Sequence, residues 1–355
     1  MRMMVALSGG VDSAVVAARA VDAGHDVTAV HMRLWRPPET SGFDPAADAR
    51  LVADYLGIPC EVWDFADEFH TQVVDYFVGE YAAGRTPNPC LRCNRTIKFG
   101  RFLQTGIERG FDMMATGHYA RREIIDGEPS LLRSTNTAKD QSYVLGVLTA
   151  AQLARIDFPL GGITKDVVRA EAAARGIPVA SKPDSTDICF IPTGDTAGFL
   201  SERLGVHPGE IVDEAGVTVG AHEGAHRFTV GQRRGLRLGV PAADGRPRFV
   251  LNVRPKENQI IVGPHESLAV RVLDGVRPTW TTTPRGTWHG LAQVRAHGQP
   301  LPATFESVDD GLRVTFDAPV FGVAPGQFVV CYDGDRVIGS AEIARAGQAQ
   351  ATPVV

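Results

Sequence analysis

The chain opens with a strand, a glycine turn and a helix start, and this order restricts it to few folds. Met3-Met4-Val5-Ala6-Leu7 is a short apolar run of buried-strand type. Ser8-Gly9-Gly10-Val11-Asp12-Ser13 follows it. From Ala14 to Ala23 the sequence is rich in Ala and Val, carries little charge and stops at Gly24, as a buried helix would. Strand, turn and helix N-terminus make a cradle for an anion. The glycines let backbone N–H groups approach a phosphate, and the helix dipole favours its charge. Ser8 and Ser13 add hydroxyls, and Asp12 sits where a metal-bound phosphate can be met. No lysine follows the glycines, so the turn is not a Walker A loop.

The segments beyond it extend the pattern. Val27 to Met32 reads as a second strand, Asp48 to Leu56 as an amphipathic helix ending at Gly57, and Glu61 to Phe65 as a third strand. A longer helix carries Phe69, Val73, Phe77 and Tyr81 at four-residue spacing. Another is expected from Thr96 to Arg109, and Asp112 to Thr116 is again strand-like. Alternation of this kind predicts an α/β domain with a parallel sheet and ligands at its C-terminal strand edge, where the first loop, Met32 and Gly117 converge. Past about residue 200 the helical period disappears. Short strands such as Glu210-Ile211-Val212 and Gln259 to Val262 give way, from about 270, to alternating runs at Leu312–Phe316, Gln327–Tyr332 and Val337–Gly339, which predict a small β-barrel.

At 355 residues the chain exceeds one ordinary core, and two or three domains are expected. With 44% hydrophobic and 22% charged residues it belongs to no disordered class. No apolar run reaches the roughly 20 residues of a membrane span. No signal-peptide layout is present, which predicts a cytoplasmic protein. A net charge of −5 argues against broad nucleic-acid affinity but permits a local basic surface such as Arg227, Arg233, Arg234 and Arg237.

Five unevenly spaced cysteines do not make a secreted disulfide framework. Cys93 follows the proline-punctuated loop Arg85-Thr86-Pro87-Asn88-Pro89-Cys90-Leu91-Arg92, near a helix start and beside Arg92 and Arg95, features that lower a thiol pKa. Cys189 lies in the polar stretch Asp184-Ser185-Thr186-Asp187-Ile188-Cys189. Cys60 and Cys331 read as small core hydrophobes.

SGGVDS at 8–13 resembles the pyrophosphate loop of ATP pyrophosphatases. TPNPCLRCNRTIKFG at 86–100, ATGHYAR at 115–121, KDQSYVL at 139–145, SKPDSTDICFI at 181–191 and FTVGQRRGL at 228–236 follow in order. Taken together, the chain resembles the bacterial tRNA-specific 2-thiouridylases nearly end to end. The resemblance implies a PP-loop, adenine nucleotide alpha hydrolase-like catalytic domain over 1–200. A small central tRNA-binding domain (201–268), a C-terminal β-barrel (269–346) and a tail (347–355) would follow. ATP, with Mg2+, would bind Ala6, Leu7, Ser8, Gly9, Gly10, Val11, Asp12, Ser13, Met32 and Gly117. The O2 of the wobble uridine would attack the α-phosphate, making a poor leaving group into AMP. Cys189 would carry a persulfide received from a cysteine desulfurase or sulfur-relay protein. Cys93 would be the nucleophile that resolves it, leaving a disulfide for a thiol reductant. The sulfur is delivered either from the persulfide or as sulfide.

By the same resemblance Asn88, Pro89 and Cys90 would face the target base, which must leave its stack to be modified. His118, Lys139, Asp140, Gln141, Arg295, Ala296 and Gln327 would be further tRNA contacts. Many relatives carry Asp where this chain has Cys90, and a thiol cannot serve as a carboxylate. Cys90, Cys93 and Cys189 would offer three ligands to a [4Fe–4S] cluster, although CxxC is a short signal and no metal site is assigned. Three alternatives remain open: a pyrophosphatase adenylating a small metabolite, an iron–sulfur thiolase using sulfide, and a non-catalytic RNA- or metal-binding protein.

Overall fold

The computed structural model describes residues 1–37, 40, 42–184, 188–239, 244–282 and 286–347. Five parallel strands form the first sheet, in the order β3-β2-β1-β4-β7. They are β1 (Arg2–Ala6), β2 (Asp26–Arg33), β3 (Cys60–Asp64), β4 (Met113–Ala115) and β7 (Ile156–Asp157). The chain leaves β1 first towards β2 and later towards β4, so the loop after β1 lies where the winding reverses, the usual ligand position in such sheets.

Helices cover both faces. One face buries α1 (Val11–Asp22), α2 (Ala47–Leu56) and α7 (Lys165–Ala174) over an Ala- and Val-rich core. Small side chains there let α1 approach the sheet closely. The other face buries an aromatic core of Trp63, Phe65, Phe69, Phe99, Phe102 and Phe111. Two helical runs supply it: α3 from Ala66 to Ala82, with a π-type segment at His70–Asp75, and α4 from Pro89 to Glu108, with a π-type segment at Asn94–Phe102. The expected helix at Thr96 thus begins seven residues earlier. Asn88 caps it by accepting from the Cys90 and Leu91 N–H groups, with Pro89 at the first position.

Beyond α8 (Thr196–Leu204) comes a four-stranded sheet in the order β10-β11-β8-β9, made of β8 (Gly209–Val212), β9 (Thr218–His222), β10 (Phe249–Arg254) and β11 (Gln259–Gly263). The last six strands are β12 (Val270–Trp280), β13 (Thr287–Gln293), β14 (Leu301–Val308), β15 (Gly311–Val320), β16 (Phe328–Asp333) and β17 (Arg336–Gly347). Pairing of β12 with β17 closes them into the expected barrel. The last tail residues expected from the sequence, 348–355, lie outside the described residues.

The barrel is not a separate body. A hairpin of the N-terminal region, β5 (Ala120–Ile125) and β6 (Glu128–Arg133), extends its sheet through β17. Phe328, Val330, Tyr332 and Val337 share a core with Phe99 and Cys93. Tyr143 donates through its hydroxyl to the Phe328 carbonyl at 2.9 Å, buried.

Candidate active site

The loop after β1 is fixed by its own hydroxyls. Ser13 donates through Oγ to the Gly10 carbonyl at 3.0 Å and accepts the Ser8 N–H at 3.2 Å. Ser8 Oγ lies 3.0 Å from Ser13 Oγ. Gly9 sits at φ 78°, where a Cβ would also come within 2.8 Å of Asp48 Cβ, so only glycine fits. At Gly117 an added Cβ would lie 3.0 Å from Asp12 Cβ and from the Ser13 nitrogen. The loops after β1 and β4 therefore touch, as the sequence alternation predicts. Met32, near the end of the neighbouring β2, is half-buried against the aromatic core. The first N–H groups of α1 have no partner within the helix and are available to a phosphate.

Asp12 is the hub of an ionic network. Lys165 donates to both its oxygens at 2.7 Å and to Asp184 at 2.9 Å. The Tyr119 hydroxyl donates to Asp12 at 2.8 Å. Asp184 also receives Lys139 at 3.0 Å and Arg169 at 2.6 Å. Lys165, Lys139 and their charge hold the Asp184 carboxyl far below the usual carboxylate range. Lys182 reaches the Gly9 carbonyl at 3.1 Å and pairs with Asp48. Cations absent from the first loop itself thus arrive from far along the chain. Sequence reasoning missed Tyr119, Lys165, Arg169, Lys182 and Asp184. One signal was available: Lys165 opens α7, where the helix dipole disfavours a cation unless carboxylates answer it.

The cysteine centre differs from expectation. Cys93 is the fifth residue of α4, past the helix start, and is 6% exposed. Burial pushes its thiol up to about 12 rather than down. The two arginines expected beside it are engaged elsewhere. Arg92 donates to the Gln72 carbonyl at 3.0 Å and lies over the Tyr76 ring, while Arg95 donates to the Arg277 carbonyl at 2.9 Å. Cys189 sits in an exposed turn, yet loss of solvation raises its thiol too, and the Lys98 charge opposes the rise at both sites. No disulfide links the cysteines. Among the described residues no three His, Cys, Asp or Glu side chains are arranged to hold a metal ion, so Cys90, Cys93 and Cys189 do not fit a cluster site.

His118 connects the two centres. It follows Gly117, accepts or donates at Nδ1 to Thr116 Oγ1 at 2.8 Å, and packs between the Phe99 and Phe158 rings. Burial, with the Lys98 charge, keeps its imidazole neutral at pH 7. Several residues expected at the tRNA surface have internal partners. Asp140, with a 7% exposed side chain, binds Ser142, the Ser134 N–H and Arg133. Gln141 accepts the Tyr119 N–H at 2.9 Å. Gln327 donates to the Thr86 carbonyl at 2.8 Å, and the Arg295 and Ala296 carbonyls receive Gln293. Pro89 is buried at the start of α4, and Cys90 is exposed beside it. Cys331 is buried in the barrel, and Cys60 is half-buried at the edge strand.

Three family models match in succession: a tRNA methyl transferase HUP domain over residues 1–193, a tRNA methyl transferase PRC-barrel domain over 197–264, and an aminomethyltransferase beta-barrel domain over 272–343. The tRNA-specific 2-thiouridylase MnmA of Cutibacterium acnes is 55% identical over 352 residues, spanning 97% of this chain and 96% of the relative. That of Streptomyces avermitilis is 54% identical over 358 residues, spanning 97% and 95%. Likeness of this depth along nearly the whole of both chains means that the chain belongs to the family of bacterial tRNA-specific 2-thiouridylases.

Proposed function

We propose that the protein is an ATP-dependent tRNA-uridine 2-sulfurtransferase. The observation that supports this reading is that the loop carrying Gly117 packs against Asp12 and Ser13, while Lys98 acts on the adjoining His118 and on both Cys93 and Cys189. ATP lies on residues 6–13, with Met32 and Gly117 beside the nucleotide and Lys165 and Lys182 supplying positive charge. The uridine O2 attacks the α-phosphate, pyrophosphate leaves, and the base is adenylated at C2. Asp12, already bonded to Lys165 and Tyr119, suits a role in orienting the phosphates and an accompanying Mg2+.

A persulfide on Cys189 then provides the sulfur. Its terminal atom bonds to C2 and AMP leaves. The Cys93 thiolate attacks Cys189 Sγ, forming a Cys93–Cys189 disulfide and breaking the Sγ–S bond, so the sulfur left on C2 becomes the thiocarbonyl. In the sulfide variant Cys93 attacks first and the released hydrosulfide adds to C2. Either way an external thiol returns two electrons to the disulfide. The sulfur donor is a cysteine desulfurase or a relay protein, and the setting is cytoplasmic. Asn88, Pro89 and Cys90 form the rim facing the base, and the regions 201–268 and 269–346 hold the tRNA against the 1–200 catalytic domain. Methyl transfer, the word in the family-model descriptions, would leave the phosphate cradle without a task.

The test uses labelled sulfur and tRNA lacking the modification. Cys189→Ser should accept no label, and Cys93→Ser should accept it but form no 2-thiouridine, while both release pyrophosphate when tRNA is present. Thiolation by either variant would overturn the division of roles. Absence of tRNA-stimulated pyrophosphate release from the unaltered protein would overturn the reaction itself.

A further inference from the structure

One cation that acts on both cysteines pairs with no carboxylate among the described residues. Lys98 is half-buried and makes no hydrogen bond or ion pair among the described residues. This is costly for an ammonium group, which normally stays paired when removed from water. Its position depends on an unusual helix geometry. In an α-helix, residues five apart are rotated by about 140° and face different ways. The π-type segment Asn94–Phe102 follows directly on Cys93, and i to i+5 bonding brings Lys98 back, one turn on, to the Cys93 side. π-Type turns of this sort are frequent where function constrains a helix.

The surroundings leave Lys98 without a competitor. Arg92 and Arg95 are held by backbone carbonyls of other elements. His118 is neutral. The charged or titratable groups that act on Cys93 are Lys98, Cys189 and Cys90, and those that act on Cys189 are led by Lys98 and Cys90. Among the described residues, the titratable groups that act on these two cysteines beside Lys98 are themselves sulfurs.

We infer that Lys98 is the counter-ion of the sulfur centre, poised to pair with the anionic sulfur formed on Cys93 or on the terminal atom of a Cys189 persulfide. This rests on the sulfurtransferase reading above, and it makes Lys98 a positioning residue that controls when sulfur becomes nucleophilic. Transfer of the Cys93 thiol proton to solvent hydroxide leaves negative charge on Sγ beside the positive charge of Lys98, and no redox partner is needed for that step.

Alkylation of the full-length protein by iodoacetamide between pH 7 and 10, followed at each cysteine by peptide mass spectrometry, tests this without tRNA. In the unaltered protein Cys93 should react slowly at neutral pH and faster as pH rises, since its thiol is held protonated by burial. Lys98→Met should slow Cys93 and Cys189 by about tenfold or more at pH 8 and move both profiles upward, the effect of losing an adjoining opposite charge. Lys98→Arg should restore both profiles and restore sulfur transfer lost in Lys98→Met. Unchanged profiles in Lys98→Met would overturn the inference. So would Lys98→Arg behaving like Lys98→Met while melting as the unaltered protein does. If Lys98→Met does not fold, Lys98→Gln takes its place with the same criteria. Failure of the unaltered protein to thiolate tRNA would sink the enzymatic reading alone, because the alkylation profiles still decide the role of Lys98.

Discussion

The loop proposed to hold the nucleotide and the cysteine centre proposed to carry sulfur handle charge in opposite ways. Around Asp12 every charge is answered: Lys165 bridges Asp12 and Asp184, and Lys139 and Arg169 complete the shell of Asp184. Around Cys93 the thiol is held neutral by burial, and Lys98 forms no ion pair among the described residues. The difference follows the chemistry of each end. Phosphates arrive already charged, and a pre-set array of cations and dipoles can receive them without reorganising. The charge on sulfur exists only during transfer. A permanently ionised cysteine would react with any oxidant or electrophile that reached it.

The largest effect that could break this comparison concerns Lys165. Lys165→Met should lower tRNA-stimulated pyrophosphate release by about 10²–10³-fold, the loss seen when one preorganised electrostatic partner is removed. Alkylation of Cys93 in the same variant should keep its pH profile. A parallel change in both would mean that the two ends are one electrostatic unit. Gly117→Ala sharpens the boundary between them. Its Cβ would meet Asp12 and the Ser13 backbone at 3.0 Å, and over-packing of this kind costs about 1–3 kcal/mol. Denaturant unfolding should show that loss, and ATP should bind more weakly while persulfide loading on Cys189 is retained. The smallest effect tests the frame. Gln327→Ala removes one bond from the barrel to the loop before Cys90, and should cost about 1 kcal/mol in denaturant midpoint. A loss of tRNA binding without that destabilisation would make Gln327 a direct RNA contact.

The first loop was legible because strand, glycines and helix are adjacent in sequence. The convergence with Gly117 was legible because parallel alternation dictates which loops share an edge. The start of α4 was misplaced because Thr86-Pro87-Asn88-Pro89 reads as loop, although Asn88 before Pro89 is itself a helix-start signal. That error carried into the chemistry, since it put Cys93 at a helix N-terminus and so predicted a lowered thiol pKa. The hairpin of β5 and β6 went unread: Asp126-Gly127 marks its turn, but the flanking runs Ala120–Ile125 and Glu128–Arg133 carry no apolar alternation. Lys165 on Asp12 could not be read at all. A pair 153 residues apart is a product of tertiary packing, and nothing local announces it.

The hairpin that joins β6 to β17 has a consequence for how the polypeptide is made. The core around Cys93 is completed by Phe328, Val330, Tyr332 and Val337, which leave the ribosome long after the parallel sheet has emerged. Some 180 residues separate Phe158 from Val337, and at about 5–20 residues per second that interval lasts on the order of ten seconds or more. Throughout it the part of that core which these four residues complete stays open. Newly made chains are therefore clients for chaperones over that window, and a fragment cut after the catalytic domain would keep the same part of the core open for good.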